Sequence, residues 1–429
     1  MNQDLSYLSG IGAHWETEAL KGALPIGQNS PQKPPYGLYA EQLTGSAFTR
    51  ARHQNLRSWL YRIQPSVVQG AFQPQAHSHI DSNAEFPALS PNQLRWDPLP
   101  FPKKPTDFIE GLQPFLKNGC PLSQQGGLIL LYAANHNSPS TYFYSADGEW
   151  MIVPQTGSLL LKTEFGRLTV SPEEIAVIPR GVKFQVELID KEVRGYICEN
   201  HGEPFQLPAL GPIGANGLAN PRDFKVPTAH FEEKKGAFQL LCKLNHKLFV
   251  AELNHSPLNV VAWHGNYAPY KYNLNHFNTI NTVSFDHPDP SIFTVLTSPS
   301  DSPGVANMDF VIFPERWMVG ENTFRPPYYH RNIMSEYMGL IKGVYDAKSD
   351  EFAPGGGSLH NIMSAHGPDA ASFEAATNAS LKAEKQIGTL AFMFESRYPW
   401  HPSRFALQGE ILQKDYHDCW QGLKSHFKR

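Results

Sequence analysis

With 429 residues, 41% hydrophobic and 18% charged, the chain has room for two or three domains and is neither a disordered polymer nor a coiled coil. A net charge of −4 gives no electrostatic footprint for nucleic acid, and no apolar run is long enough to span a bilayer. Frequent proline (36), glycine (33) and aromatic residues (12%) point to many short strands joined by turns.

The first ten residues lack the basic-then-apolar pattern of a secretory signal. Cys120, Cys198, Cys242 and Cys419 stand far apart with no CxxC pair, so the expected setting is reducing and cytoplasmic. Any metal must then be held by imidazole and carboxylate rather than thiolate. Residues 24–105, rich in Pro, Gly, Gln and Asn, read as an extended arm that wraps on its own domain or on a neighbouring subunit. Phe108, Leu112, Phe115 and Leu116 recur at near-helical spacing, which predicts a helix over 105–119 kinked at Pro114.

Strand patterns follow over 127–133, 141–144, 149–153 and 157–166, the last with a hairpin exit at Gly166. More come at 174–181 and at 182–188, where apolar and polar residues alternate. Strands this short and this numerous imply a mainly β sandwich or jelly roll. A Pro-rich connection at 204–227 leads to strands over 237–241 and 247–253, then 291–297 and 309–313. Residues 368–377 read as a helix with Pro368 at its first position. No short-period repeat is present. Two unequal units are expected: residues 1–280, carrying the arm, and residues 281–429, where histidines cluster.

That cluster carries the chemistry. His330 and Glu336 stand six apart, a spacing that puts both on one face of a strand, and His366 follows thirty residues later. Two imidazoles and one carboxylate on one side of a metal leave the other side open, as iron(II) oxygenases require for substrate and O₂. The same ligand types suit manganese, nickel and zinc. A satisfied core histidine and a surface glutamate explain the pair alone equally well; density favours a metal site, since His360 also falls in this window, after Gly355, Gly356 and Gly357. That glycine triplet is either a plain flexible loop or a close backbone approach that aims His360 and His366 inward. His287, at a Pro-rich turn, is either a turn histidine bonding nearby backbone or a general base at the mouth of a site. No nucleophile elbow, phosphate loop or dinucleotide fingerprint competes.

Six segments resemble the homogentisate 1,2-dioxygenase family: residues 27–43 (GQNSPQKPPYGLYAEQL), 289–297 (DPSIFTVLT), 327–332 (PYYHRN), 354–360 (PGGGSLH), 366–370 (HGPDA) and 391–396 (AFMFES). The resemblance implies a cupin-like fold and hexamers made of two trimers. It also implies Fe(II) on His330, Glu336 and His366, with His287 as the acid/base histidine. Tyr345 becomes a substrate contact, and His360 a further wall of the pocket that His366 shares. The implied reaction is homogentisate plus O₂ giving 4-maleylacetoacetate, in tyrosine and phenylalanine catabolism. The same resemblance predicts an amino-terminal cupin with its imidazole ligands lost, because Tyr142, Tyr144 and Phe184 stand where a cupin pattern has histidines, alongside Glu149, Gly157, Pro179 and Gly181. The other readings are a cupin isomerase, a gentisate-type ring-cleaving enzyme and a non-catalytic small-ligand cupin.

Overall fold

The structure, a computed structural model, describes residues 5–77, 79–80, 86–87, 89–345 and 352–429. Three large sheets dominate. A nine-stranded sheet runs in the order Tyr7–Ser9, Lys225–Pro227, Tyr270–Asn273, Glu174–Ile178, Glu149–Thr156, Val193–Asn200, Gln125–Ala134, Leu112–Cys120, His401–Pro402. One of its faces is covered by a seven-stranded sheet that includes Leu159–Thr163, Phe184–Leu188, Thr141–Ser145, Lys235–Leu244 and Lys247–His255. Its other face is covered by a six-stranded sheet: Thr294–Pro299, Ala306–Phe313, Leu390–Ser396, Ser335–Lys342, Gly357–His360, Leu94–Trp96. Among the described residues, strand pairing is antiparallel except between Thr141–Ser145 and Lys235–Leu244. The chain is thus mainly β, a layered sandwich of largely antiparallel sheets.

The middle layer explains the sequence texture. Gln125–Ala134 is buried at every position after the first, because sheets cover both faces of its own sheet, so it reads as an unbroken apolar run. Leu159–Thr163, with one face on the core, alternates buried and half-buried. Trp150 packs on Phe143 and Phe184 at 4.7 and 5.9 Å between ring centroids, joining the nine- and seven-stranded sheets. Tyr196, one strand over, meets Phe392 edge-on at 4.9 Å and so joins the nine- and six-stranded sheets. Gly339 is required there: a Cβ at that position would lie 2.3 Å from the Phe392 ring. One continuous apolar core therefore runs through all three layers.

The arm behaves as expected in part, since it folds onto its own chain. Tyr39–Thr44 and Arg57–Arg62 join a four-stranded sheet, and Leu94–Trp96 closes the six-stranded one. The helix expected over 105–119 is instead the strand Leu112–Cys120. Its register shifts between Pro114 and Leu116, and this bulge turns both Phe115 and Leu116 into the core, which imitates helical spacing. The helix at 368–377 is found as Ala370–Thr377, starting two residues later than expected: Asp369 is its N-cap, accepting from Ser372 N at 2.7 Å, and Pro368 lies outside it. The glycine triplet is an ordered turn rather than a flexible loop. Gly355 N donates to Leu340 O at 2.8 Å with φ +94°, and Gly357 opens the next strand.

Candidate metal centre

Glu336 stands near the start of the strand Ser335–Lys342, opposite His360 on one neighbour and Glu395 on the other. His330 is not on that strand, so the same-face argument fails for it. Instead, His330 and His366 form an isolated two-residue bridge, N to O at 3.0 and 3.1 Å in the two directions, that lies across the end of the sheet. This bridge brings the three side chains together: their ligand atoms all lie within 4.8 Å of one another. His366 Nε2 is 3.0 Å from Glu336 Oε2, and His330 Nε2 is 3.8 Å from Glu336 Oε1.

The ring orientations follow from the backbone. His330 Nδ1 sits 2.8 Å from Tyr328 O, and His366 Nδ1 sits 2.9 Å from Ser364 O. A carbonyl can only accept, so each Nδ1 carries a proton and each Nε2 is directed at Glu336: as an imidazolium the ring donates to the carboxylate, and on giving up that proton its Nε2 lone pair can ligate a metal. Burial pushes the Glu336 carboxyl up, but the adjacent His330 and His366 rings outweigh it and hold it well below the usual carboxylate range. The nearby Glu336 carboxylate in turn raises His330. A first-row ion bound at about 2.0–2.2 Å sets adjacent ligands about 3 Å apart, close to the spacing found here. The donor set fits such an ion.

Three residues that sequence reasoning passed over support the set. Asn332 Nδ2 donates to Glu336 Oε1 at 2.8 Å and to Glu395 Oε1 at 2.6 Å. Glu395 pairs across strands with both Glu336 and Asp309, a row of three carboxylates. Burial, then the Glu336 charge, pushes Glu395 up to about 7, and burial pushes Asp309 up to about 6. Tyr416 holds His360, whose Nε2 lies 2.9 Å from the phenol oxygen. The available signal was polarity out of place: Glu395 interrupts the otherwise apolar strand Leu390–Ser396. Because the Asn332 amide fastens Oε1 of Glu336, Asn332→Ala is expected to weaken metal binding about 10–100-fold, read by competition with a chelator; unchanged retention would remove it from the support.

The other expected residues fall at different distances. His360 is buried behind His366, ring on ring at 4.1 Å and 7°, and so backs the ligand. His287 lies one ring further out, edge-on to Tyr328 at 6.4 Å, while Tyr328 meets His330 at 5.7 Å. Tyr328 donates to Asp289, two residues beyond His287, which ties that turn to the metal loop. His287 Nδ1 is 2.9 Å from Pro288 O, so it does bond nearby backbone, and Nε2 is the basic nitrogen of the neutral ring. Tyr345 packs against Phe313 and Phe352 beyond the far end of the strand that bears Glu336. From Glu336 to Lys342 that strand spans about 20 Å, so the structure does not bring Tyr345 to the three ligands within one chain. In the amino-terminal half, Phe184 faces the main core, whereas Tyr142 and Tyr144 belong to a separate apolar cluster on the opposite side, where Tyr142 donates to Glu232. The three positions aligned with cupin histidines therefore do not share a pocket.

A layered β-sandwich that gathers two imidazoles and one carboxylate at the end of a sheet has the donor set of a metal-dependent enzyme. Residues 6–274 match the family model described as Homogentisate 1,2-dioxygenase N-terminal, and residues 275–427 the corresponding C-terminal model. The chain belongs to the homogentisate 1,2-dioxygenase family, ring-cleaving oxidoreductases that act on a small aromatic substrate with O₂. Solved structures with some likeness include the protein Ylba from E. coli, 10% identical over 72% of this chain and 93% of that one, TM-score 0.30. A mutant of Bacillus subtilis oxalate decarboxylase is 10% identical over 80% and 90%, TM-score 0.30. A cupin 2 conserved barrel protein from Leptotrichia buccalis is 9% identical over 63% and 83%, TM-score 0.25. Among the described residues no helix is long and apolar enough to cross a membrane.

Proposed function

We propose that the cofactor is iron(II), held by His330, Glu336 and His366, and that His287 handles the substrate proton. The observation that carries this reading is the pair of imidazoles whose Nδ1–H groups are fixed to backbone carbonyls, so that both Nε2 atoms converge on one ionised carboxylate. When bound, iron(II) supplies Lewis acidity toward the ring hydroxyl and electrons toward O₂. The chain's own residues do the rest. His287 Nε2 accepts the proton of the hydroxyl next to the acetate arm and then steadies the phenolate. His360 and Tyr416 keep the His366 ring from turning. Metal-free protein prepared without air and given Fe(II), Mn(II) or Zn(II) tests the metal: oxygen consumption with homogentisate is expected with Fe(II) alone, and equal rates with Zn(II) would overturn the reading.

Tyr345 is proposed as the donor to the acetate carboxylate, with Tyr345→Phe expected to raise KM more than it lowers kcat. An unchanged KM would return Tyr345 to the packing role that its contacts with Phe313 and Phe352 describe. Assembly with further copies of the chain as a hexamer is supported by exposed apolar side chains near the ligands, including Tyr328, Ile333 and Met363. The four free cysteines favour a cytoplasmic setting.

A further inference from the structure

A second convergence of ligand atoms lies at one end of the amino-terminal sandwich, between the nine- and seven-stranded sheets. Glu199, His201 and His246 bring a carboxylate oxygen and two ring nitrogens within 4.8 Å of one another, all three residues buried. Glu199 comes from the strand Val193–Asn200 and His201 directly follows it. His246 sits in the two-residue turn between Lys235–Leu244 and Lys247–His255, where Asn245 and His246 both take positive φ, +50° and +60°. Asp147 fastens that turn by accepting from Asn245 N and His246 N at 2.5 and 2.8 Å. The His201 side chain is fully buried, and its Nδ1 makes no hydrogen bond.

The centre of this cluster is taken. Lys243, with no exposed surface, sends its ammonium to Glu199 Oε2 and Asp147 Oδ2, each at 2.6 Å. Glu199 Oε2 also lies 3.2 Å from His201 Nε2, and Glu199 Oε1 accepts from Ser145 Oγ at 2.5 Å and Trp150 Nε1 at 2.8 Å. Burial disfavours the Lys243 charge, but Glu199 and Asp147 outweigh it and hold the amine above its ordinary range. Burial, then the Lys243 ammonium, pushes His246 down to about 3, so that imidazole is neutral, the form a metal would need. A divalent ion on Glu199 would share an oxygen with this ammonium in a medium of low dielectric, where like charges repel strongly.

We propose that the Lys243 ammonium takes the place of a metal ion in the amino-terminal sandwich, so that the chain loads metal only at His330, Glu336 and His366, and that removing the ammonium opens a second metal site on Glu199, His201 and His246. The amino-terminal half is then metal-free because a fixed cation occupies its ligands, not because it lacks imidazoles. Bound metal per chain, counted by elemental analysis after exposure to Zn(II) and gel filtration, tests this. The full-length protein is expected to hold one equivalent and Lys243→Met two, with Glu199→Gln on the Lys243→Met background returning the count to one. Lys243→Arg, which keeps the cation, is expected to stay at one. A folded Lys243→Met protein that gains no zinc overturns the proposal. Since Lys243→Met can leave the chain unfolded, His366→Ala gives an independent reading. That protein, with Lys243 intact, is expected to hold no zinc, and an equivalent that disappears on adding Glu199→Gln would overturn the proposal equally.

Discussion

His366→Ala is expected to yield a folded protein that retains no iron and shows no ring-cleaving activity above background. The ring supplies one of the three proposed ligands, while the backbone bridge to His330 survives the change, so the loss is that of the ligand itself. The fold tolerates the change. Glu336 keeps the Asn332 amide at 2.8 Å, and the core of the six-stranded sheet does not involve the His366 ring. Leaving a buried acceptor one donor short costs about 1–3 kcal/mol, which lowers the melting temperature without unfolding the chain. Metal content and thermal unfolding measured on the same preparation separate the two effects. Iron at wild-type occupancy would remove His366 from the ligand set.

The second large effect belongs to His287. His287→Gln is expected to lower kcat by about 10²–10⁴-fold, the usual contribution of a positioned acid or base, while iron content stays at the wild-type level. The glutamine amide can still donate to Pro288 O, so the turn survives, but it cannot take up a proton at neutral pH. His287 also stands outside the ligand shell, separated from His330 by the Tyr328 ring. The paired readout distinguishes the role: lost iron would make His287 a support for the metal loop, and a near-normal kcat would leave it a turn histidine.

Legibility in the sequence followed local physics closely. Strands such as Gln125–Ala134 and Leu159–Thr163 were readable because burial on two faces or one writes itself directly into the pattern. Leu112–Cys120 was not, since a bulge beside Pro114 breaks the period of two and leaves a helix-like spacing. His330, Glu336 and His366, expected together, do lie together, but not through the shared strand face that their spacing suggests. His330 and Glu336 do not share a strand; a two-residue bridge between His330 and His366 gathers them, and no spacing rule encodes such a bridge. The family resemblance carried His330 where the period could not. The cluster around Lys243 is not legible in the sequence because its members come from two sheets and a hairpin turn. Asn332 and Glu395 lie 63 residues apart in the chain, and only the pairing of Ser335–Lys342 with Leu390–Ser396 shows that they meet at Glu336.

The central claim is that His330, Glu336 and His366 hold an iron(II) ion at which homogentisate is opened by O₂. The most direct measurement is oxygen consumed per homogentisate lost in protein reconstituted anaerobically with Fe(II), with the product's isotope content followed under labelled O₂. The expected result is equal molar consumption of both reactants and two labelled oxygen atoms in each ring-opened product. Substrate loss without oxygen uptake, or the same uptake in Glu336→Ala protein, would contradict it.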